Sequence, residues 1–454
     1  MEKKVDILVI GAGPAGMVSA VTARKYYPDK KILVMKNISN GVIPCGIPYM
    51  FSSLTNPDDN KMGTALLEKN QIDVALDEAT RINRNVKMVE TVSGTRFIYE
   101  KLILSVGSSP VIPPIPGIDK KGIYPVCKDM DYLKDCIKNI RQTKDVLILG
   151  GGFIGVEFAD EISNLKGINV YLAEIFPTIL ANSFDEEFAS IAEEKLRSKG
   201  VHIFTGERVK EFLGSGKVES VRFDNGKEIK ADSVILGIGA SPNTRLALEA
   251  GLEMEKGKGI WVDEYMRTTD SDIFAVGDCA CKKDFYTRRD TPVMLASTAT
   301  AEARIAGANL YQLKLVRENK GTIAIYSTYV NGLILGSAGL TENTAKKEGF
   351  EIVTGHAEGV DKHPANLAGA GKIKIKLIFS RQSGILMGGQ VAGGISSGEI
   401  INLIGMAIQQ RVSIIELETL QIATHPFLTS APTVYPVVLA SQDASSKMRS
   451  SEAH

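Results

Sequence analysis

Cysteine is scarce in this sequence: five residues in 454, at Cys45, Cys127, Cys136, Cys279 and Cys281. An odd, scattered set of that size excludes a disulfide framework, and without a CxxC or a paired histidine spacing it leaves no zinc site to expect. Charge of one sign is also missing, since Lys plus Arg and Asp plus Glu both number 53. A chain that grips nucleic acid by its phosphates carries a basic excess, so no nucleic-acid partner is expected. No run approaches the ~18–20 apolar residues of a membrane span. The charged MEKK at Met1 leads into VDILVI, an apolar run too short for a signal peptide, so no membrane is expected and the cytoplasm is the expected location. What remains, 44% apolar and 23% charged residues, is the composition of a globular chain long enough for several domains.

The strongest positive signal is a duplication. VDILVIGAGPAGMVSAVTARK, from Val5 to Lys25, and DVLILGGGFIGVEFADEIS, from Asp145 to Ser163, each join an apolar strand-length run to GxGxxG and then to helical periodicity. In such a turn the first glycine permits the bend and the second lets backbone approach a pyrophosphate. The third lets helix pack on strand, and the helix N-terminus offers its N–H groups to the anion. These positions are Gly11, Gly13 and Gly16, with Pro14 and Ala15 between them, and Gly150, Gly152 and Gly155, with Phe153 and Ile154 between them.

A second strand follows each helix. INVYLA ends at Ala173 and is followed by Glu174, nineteen residues beyond Gly155. A carboxylate there accepts hydrogen bonds from a ribose 2′-OH and repels a 2′-phosphate, which favours NADH over NADPH. The first copy has Lys36 at the matching place. Lys36 is either a ribose neighbour or a solvated surface lysine that leaves the ribose to backbone and water. Further on, KLILSVGSSP, DSVILGIGASPN and SDIFAVGDCA are strands that run into Gly/Ser/Pro or Gly-Asp turns. After about residue 320, GKIKIKLIF and GEIINLIGMAIQQ indicate a separate α+β unit, and the final SQDASSKMRSSEAH is polar enough to be expected disordered.

GAGPAG, KLILSVGSSP, GGGFIGVE and IFAVGDC, in that order, resemble the FAD-dependent pyridine nucleotide-disulfide oxidoreductases over roughly residues 5–435. IPCGIPYM, at Ile43–Met50, resembles the single-cysteine branch: coenzyme A-disulfide reductases, NADH oxidases and peroxidases, and NAD(P)H persulfide or sulfur reductases. Relatives with two redox cysteines carry CxxxxC here, and this chain has no cysteine between Cys45 and Cys127.

The resemblance implies an α/β protein with two Rossmann-like dinucleotide-binding domains, for FAD and NAD, plus a C-terminal α+β dimerisation domain. The expected boundaries are 1–112 and 246–320 for FAD, 113–245 for NAD, 321–440 for dimerisation and 441–454 for a polar tail. It also implies that the first glycine set, Asp278, Ala79, Gly107 and Ala299 serve FAD, with Lys36 nearby. The second set, Glu157 and Glu174 would serve NADH, and Gly239 of the GIGASP turn joins the cofactor-binding positions.

Cys45 precedes Gly46, Ile47 and Pro48, and a proline suits the first turn of a helix. The expectation is a cysteine at a helix N-terminus, where the dipole favours thiolate. Local sequence alone leaves a buried structural cysteine equally open, and the family pattern assigns it redox work. The other four cysteines read as fillers. The peroxide- and oxygen-handling relatives place a histidine where this chain has Pro14, and the coenzyme A branch a tyrosine where it has Thr424. His425-Pro426 stands beside that place, as an acid/base or as an idle histidine, and His363 is a weaker candidate.

The expected function is an FAD-dependent homodimer that passes electrons from NADH through flavin and Cys45 to a small sulfur acceptor, a disulfide, persulfide or polysulfide. The alternatives are an NADH oxidase giving peroxide or water, and a flavin- and NAD-binding redox sensor with little turnover.

Overall fold

A computed structural model describes residues 1–255, 258–314 and 318–452. The chain divides into two compact units. One comprises Met1–Val111, Pro125–Lys138 and Gly239–Thr322; the other comprises Ile112–Tyr124, Asn139–Ile238 and Ile323–His454.

In the first unit a parallel sheet runs in the order Ile273–Ala275, Lys101–Leu104, Ile7–Ile10, Ile32–Lys36, Asp73–Leu76. The central strand ILVI is buried at every position, as a parallel strand covered on both faces must be. Helices Pro14–Tyr26 and Ala296–Ala308 pack against each other, and Gly307 is required there because a Cβ would lie 2.6 Å from the Ser19 carbonyl oxygen.

The second unit holds a matching parallel set in the order Ser233–Leu236, Asp145–Leu149, Asn169–Glu174, His202–Thr205. It also holds a five-stranded antiparallel sheet in the order Tyr326–Val330, Leu333–Gly339, Leu386–Gly393, Lys372–Ser380, Ile352–Val360. Helix Ser397–Gln409 lies on that sheet where Gly336 and Gly389 leave room for Ile401 and Ile404. Two Rossmann-like folds and a C-terminal α+β sheet are therefore present.

Two local expectations fail. The polar tail from residue 441 is helical, within Pro436–Glu452; residues 453 and 454 lie outside the described ones. Its small residues Ala440, Ser441 and Ala444 are buried, and they come close enough to the sheet that a Cβ on Gly355 would overlap the Ala440 carbonyl oxygen. Polarity marked the outer face, and small size marked the inner one. Second, Cys45 does not begin an α-helix. It sits in a 3₁₀ turn, Pro44–Gly46, followed by another, Pro48–Phe51. Prolines at 44 and 48 start two separate turns and prevent one longer helix, so the macrodipole invoked for the thiolate is absent.

One buried ammonium ties the second unit together. Lys376, 3% exposed, meets Asp185 at 3.1 Å, Glu187 at 3.0 Å and Glu342 at 2.5 Å. Asp185 starts helix Glu186–Ser198, yet its carboxylate accepts from the backbone N–H of Glu342 and Asn343 and from Gln390 Nε2, while its own N–H donates to Gln390 Oε1. Burial pushes the Glu342 carboxyl up, but Lys346 and Lys376 outweigh it and hold the group at about 2.

Removing the ammonium strands the carboxylates, so Lys376→Met should cost about 3–5 kcal/mol in urea unfolding. A carboxyl depressed in the folded state stabilises above its unfolded value and loses that contribution as pH falls toward the folded one. Wild-type stability should therefore decline from about pH 4.5 toward 2, and the variant should show a shallower decline.

Candidate active site

The two glycine turns are superimposable in their details. Gly11 and Gly150 both have φ +108°. Their N–H groups donate to Met35 and Ala173 carbonyls, both at 2.8 Å. A Cβ on Gly16 would lie 1.9 Å from the Gly11 oxygen, and one on Gly155 would lie 1.8 Å from the Gly150 oxygen. No other residue type fits. Gly13 and Gly152 differ: a Cβ on either would meet nothing within 4 Å. The chain's own packing does not require glycine there, and bare backbone at the mouth of each turn fits an approaching pyrophosphate. Helices Pro14–Tyr26 and Phe153–Ile162 begin at these turns with no side-chain cap and no acidic residue in the first turn. Their N-terminal N–H groups remain for an anion. Both turns fit a dinucleotide.

Beside the second turn lies a small cavity lined by Gly151, Gly152, Phe153, Glu174, Phe176 and Ser183, among others. Glu174, 7% exposed, accepts from the Gly151 N–H at 2.5 Å and the Phe176 N–H at 2.9 Å. It therefore lines the cavity and also sets the shape of the turn. Phe153 stacks on Tyr326 at 4.8 Å and meets Phe184 edge-on. Ile154 follows in the first turn of the helix, half-buried.

Around the first turn, Gly277 (φ +75°) brings Asp278 to the end of strand Ile273–Ala275. A Cβ on Gly277 would touch Ala15 at 3.0 Å and Ala299 at 3.6 Å, so the starts of both helices converge on this turn. Asp278 accepts from Ser108 Oγ at 2.7 Å and pairs with Lys128 at 3.3 Å. Ser108 and Lys128 went unnoticed in the sequence, although Ser108 lies within the quoted GSSP turn. Gly107 and Gly239 have φ +69° and +101°, and their two turns pair as short antiparallel strands, Ser108–Pro110 with Ala240–Pro242. Lys36 ends its strand, half-buried, and its Nζ donates to the Ser39 carbonyl. Ala79 begins a strand of a separate mixed sheet.

Of the five cysteines only Cys45 is exposed, and none is in a disulfide. Its turn is held by Asn60, whose Nδ2 donates to the Ile43 carbonyl, and a Cβ on Gly46 would overlap Asn60 Oδ1. Burial pushes the other thiols up: Cys136 to about 12, Cys279 to about 11, Cys281 to about 12, and Cys127 in the same direction. Desolvation thus disfavours the reactive thiolate at all four.

Within the second unit the two His-Pro segments adjoin. The His363 N–H donates to the Pro426 carbonyl, and His363 Nδ1 donates to the Thr429 carbonyl at 2.9 Å. His425 is exposed; its Nδ1 accepts from the Phe427 N–H at 3.3 Å, which leaves Nε2 as the proton-bearing nitrogen of the neutral ring. Thr424, at the tyrosine place, is half-buried.

Glu157, one turn into the helix that follows the second glycine set, accepts from Thr328 Oγ1 at 2.8 Å. Burial pushes its carboxyl up to about 7, with Asp160 and Glu161 adding to the shift and the Thr328 bond opposing it.

Residues 5–303 match the family described as pyridine nucleotide-disulphide oxidoreductase, and residues 325–434 match its dimerisation domain. The chain is 32% identical to an NADH oxidase of Methanocaldococcus jannaschii over 97% of this chain and 99% of that one. It is 31% identical to the NAD(P)H coenzyme A polysulfide/persulfide reductase of Pyrococcus horikoshii, over 87% and 88%. The solved NAD-dependent persulfide reductase from A. fulgidus superposes with a TM-score of 0.90 at 29% identity, covering 99% of this chain and 84% of that one. The chain belongs to the pyridine nucleotide-disulfide oxidoreductase family. Among the described residues no helix is long and apolar enough to cross a membrane.

A carboxyl raised from its ordinary 4.5 to about 7 destabilises the fold progressively as pH rises between those values, on the order of 3 kcal/mol once both states are ionised. Glu157→Gln keeps an oxygen for Thr328 and removes that penalty. The variant should be the more stable protein above pH 7, with the gap closing toward pH 4.5, read from urea midpoints across that range.

Proposed function

We propose that the protein is an FAD-dependent, NADH-consuming homodimer that reduces a small sulfur acceptor, a disulfide, persulfide or polysulfide, through Cys45, in the cytoplasm. The observation that carries this reading is the sorting of the thiols: one exposed cysteine, and four less exposed ones whose thiols desolvation pushes up. The relatives named as persulfide reductases support the sulfur acceptor.

In this reading residues 1–112 and 246–320 form the FAD domain. Gly11, Gly13, Pro14, Ala15 and Gly16 receive its pyrophosphate, with Asp278 at the ribityl chain and Lys36, Ala79, Gly107 and Ala299 around the rest. Residues 113–245 take NADH. Gly150, Gly152, Phe153, Ile154 and Gly155 hold its pyrophosphate, Glu174 faces the ribose hydroxyls, and Glu157 lies toward the nicotinamide. Residues 321–440 bring the partner copy and, with it, His425. When bound, the flavin supplies two-electron exchange between nicotinamide and sulfur.

The chain's own part is sulfur and proton chemistry. The Cys45 thiolate attacks a sulfur of R–S–S–R′, forming Cys45–S–S–R and releasing R′–S⁻. That thiolate takes a proton from His425 in its imidazolium form, which is restored from solvent. Two electrons and a proton then release R–SH and restore Cys45. The backbone N–H groups of both uncapped helix starts offset the pyrophosphate charges.

The relative named as an NADH oxidase favours a second reading, in which oxygen is the acceptor. Pro14 in the first glycine turn offers no proton donor there, which counts against efficient oxygen reduction.

Two outcomes are expected. Cys45→Ser should abolish NADH-dependent reduction of disulfide, persulfide and polysulfide in anaerobic assays while NADH still bleaches the bound flavin. Undiminished sulfur reduction by that variant removes Cys45 from the mechanism, and turnover with oxygen alone selects the oxidase. The buried Glu174 carboxylate should give NADH a clear advantage in kcat/KM over NADPH, and equal values contradict its role.

A further inference from the structure

The flavin turn is built on a charge pair that neither the glycine motif nor the Gly-Asp motif includes. Lys282 and Glu302, 4% and 2% exposed, face each other at 3.3 Å. They grip one residue from both sides. Glu302 Oε2 accepts the Gly277 N–H at 2.9 Å, and Lys282 Nζ donates to the Gly277 carbonyl at 2.6 Å and to the Ala280 carbonyl at 3.1 Å. Gly277 has φ +75° and is wedged between Ala15 and Ala299, so its N–H and carbonyl directions decide where the next residue, Asp278, presents its carboxylate.

As a source of stability the pair is poor. Two charges are removed from water, and Glu302 Oε1 is buried with no hydrogen-bond partner. An apolar pair of similar volume usually serves a core as well or better. What apolar side chains cannot do is fix the N–H and the carbonyl of a left-handed residue at once.

We propose that Glu302 and Lys282 are positioning residues for the flavin: they clamp Gly277 so that Asp278, with Ser108 and Lys128 on its carboxylate, meets the cofactor in one orientation. The assignment rests on the reading of the first glycine turn as the FAD site.

The test uses holoenzyme diluted into FAD-free buffer, with flavin release followed by its fluorescence. Glu302→Leu should release FAD about tenfold faster, the loss of one hydrogen bond to a charged group. Glu302→Gln, whose amide oxygen still accepts from Gly277, should remain within about twofold of wild type. Lys282→Met should accelerate release in the same direction, and it carries the test if Glu302→Leu fails to fold. In an Asp278→Asn background Glu302→Leu, or Lys282→Met in its place, should add nothing further, because the clamp acts through Asp278. Unchanged release in the Leu and Met variants, a Gln variant as fast as the Leu one, or full additivity with Asp278→Asn overturns the proposal. Wild-type protein that takes up no FAD overturns the flavin reading itself, a different result from FAD-bound wild type with indifferent variants.

Discussion

A carbonyl oxygen occupies the space where a side chain would begin: that of Gly11 against Gly16, and that of Gly150 against Gly155. The approach brings each helix start against the end of its strand, and the first helical N–H groups have no side-chain cap among the described residues. Both nucleotide sites follow from it. The packing of the first and third glycines is settled inside the chain, whereas the middle glycines face open space and make sense only with something bound against them.

Much of this was legible in the sequence, because the signal is local. A strand-length apolar run, a glycine turn and a helical period occupy some twenty consecutive residues, and both copies fold accordingly. The C-terminal strand and helix were readable for the same reason. What escaped depends on residues far apart or on shape. Lys128 and Asp278 are 150 positions apart, Asp185 and Gln390 are 205 apart, and nothing in either neighbourhood announces the pairing. The Cys45 segment was misread because proline starting an α-helix and proline starting a single 3₁₀ turn look alike in sequence. The tail was misread because serine and alanine are polar or neutral by composition, yet small enough to lie against a glycine strand.

The buried charges separate into two kinds. Lys376 is surrounded by carboxylates that each have further donors, and its removal exposes a cost borne by the whole unit. Glu157 is half-buried with a hydrogen bond from Thr328, and Glu302 is buried with an unpartnered oxygen. Selection for stability alone removes such groups. Their position beside the two glycine folds connects the cost to cofactor chemistry, since perturbed carboxyls concentrate where charge or a proton is handled.

The duplication also explains how one turn serves two nucleotides without confusing them. Gly11 bonds to Met35 and Gly150 to Ala173 in the same register, so the next residues, Lys36 and Glu174, occupy equivalent places at the strand ends. One carries a cation that reaches Ser39, the other a carboxylate folded back onto Gly151. In the proposed NADH site, a carboxylate held by the turn itself would not swing away from an incoming 2′-phosphate. A lysine on a flexible stem imposes no such exclusion. On the proposed assignment the same backbone would be selective in one copy and permissive in the other through a single charge at the end of the second strand.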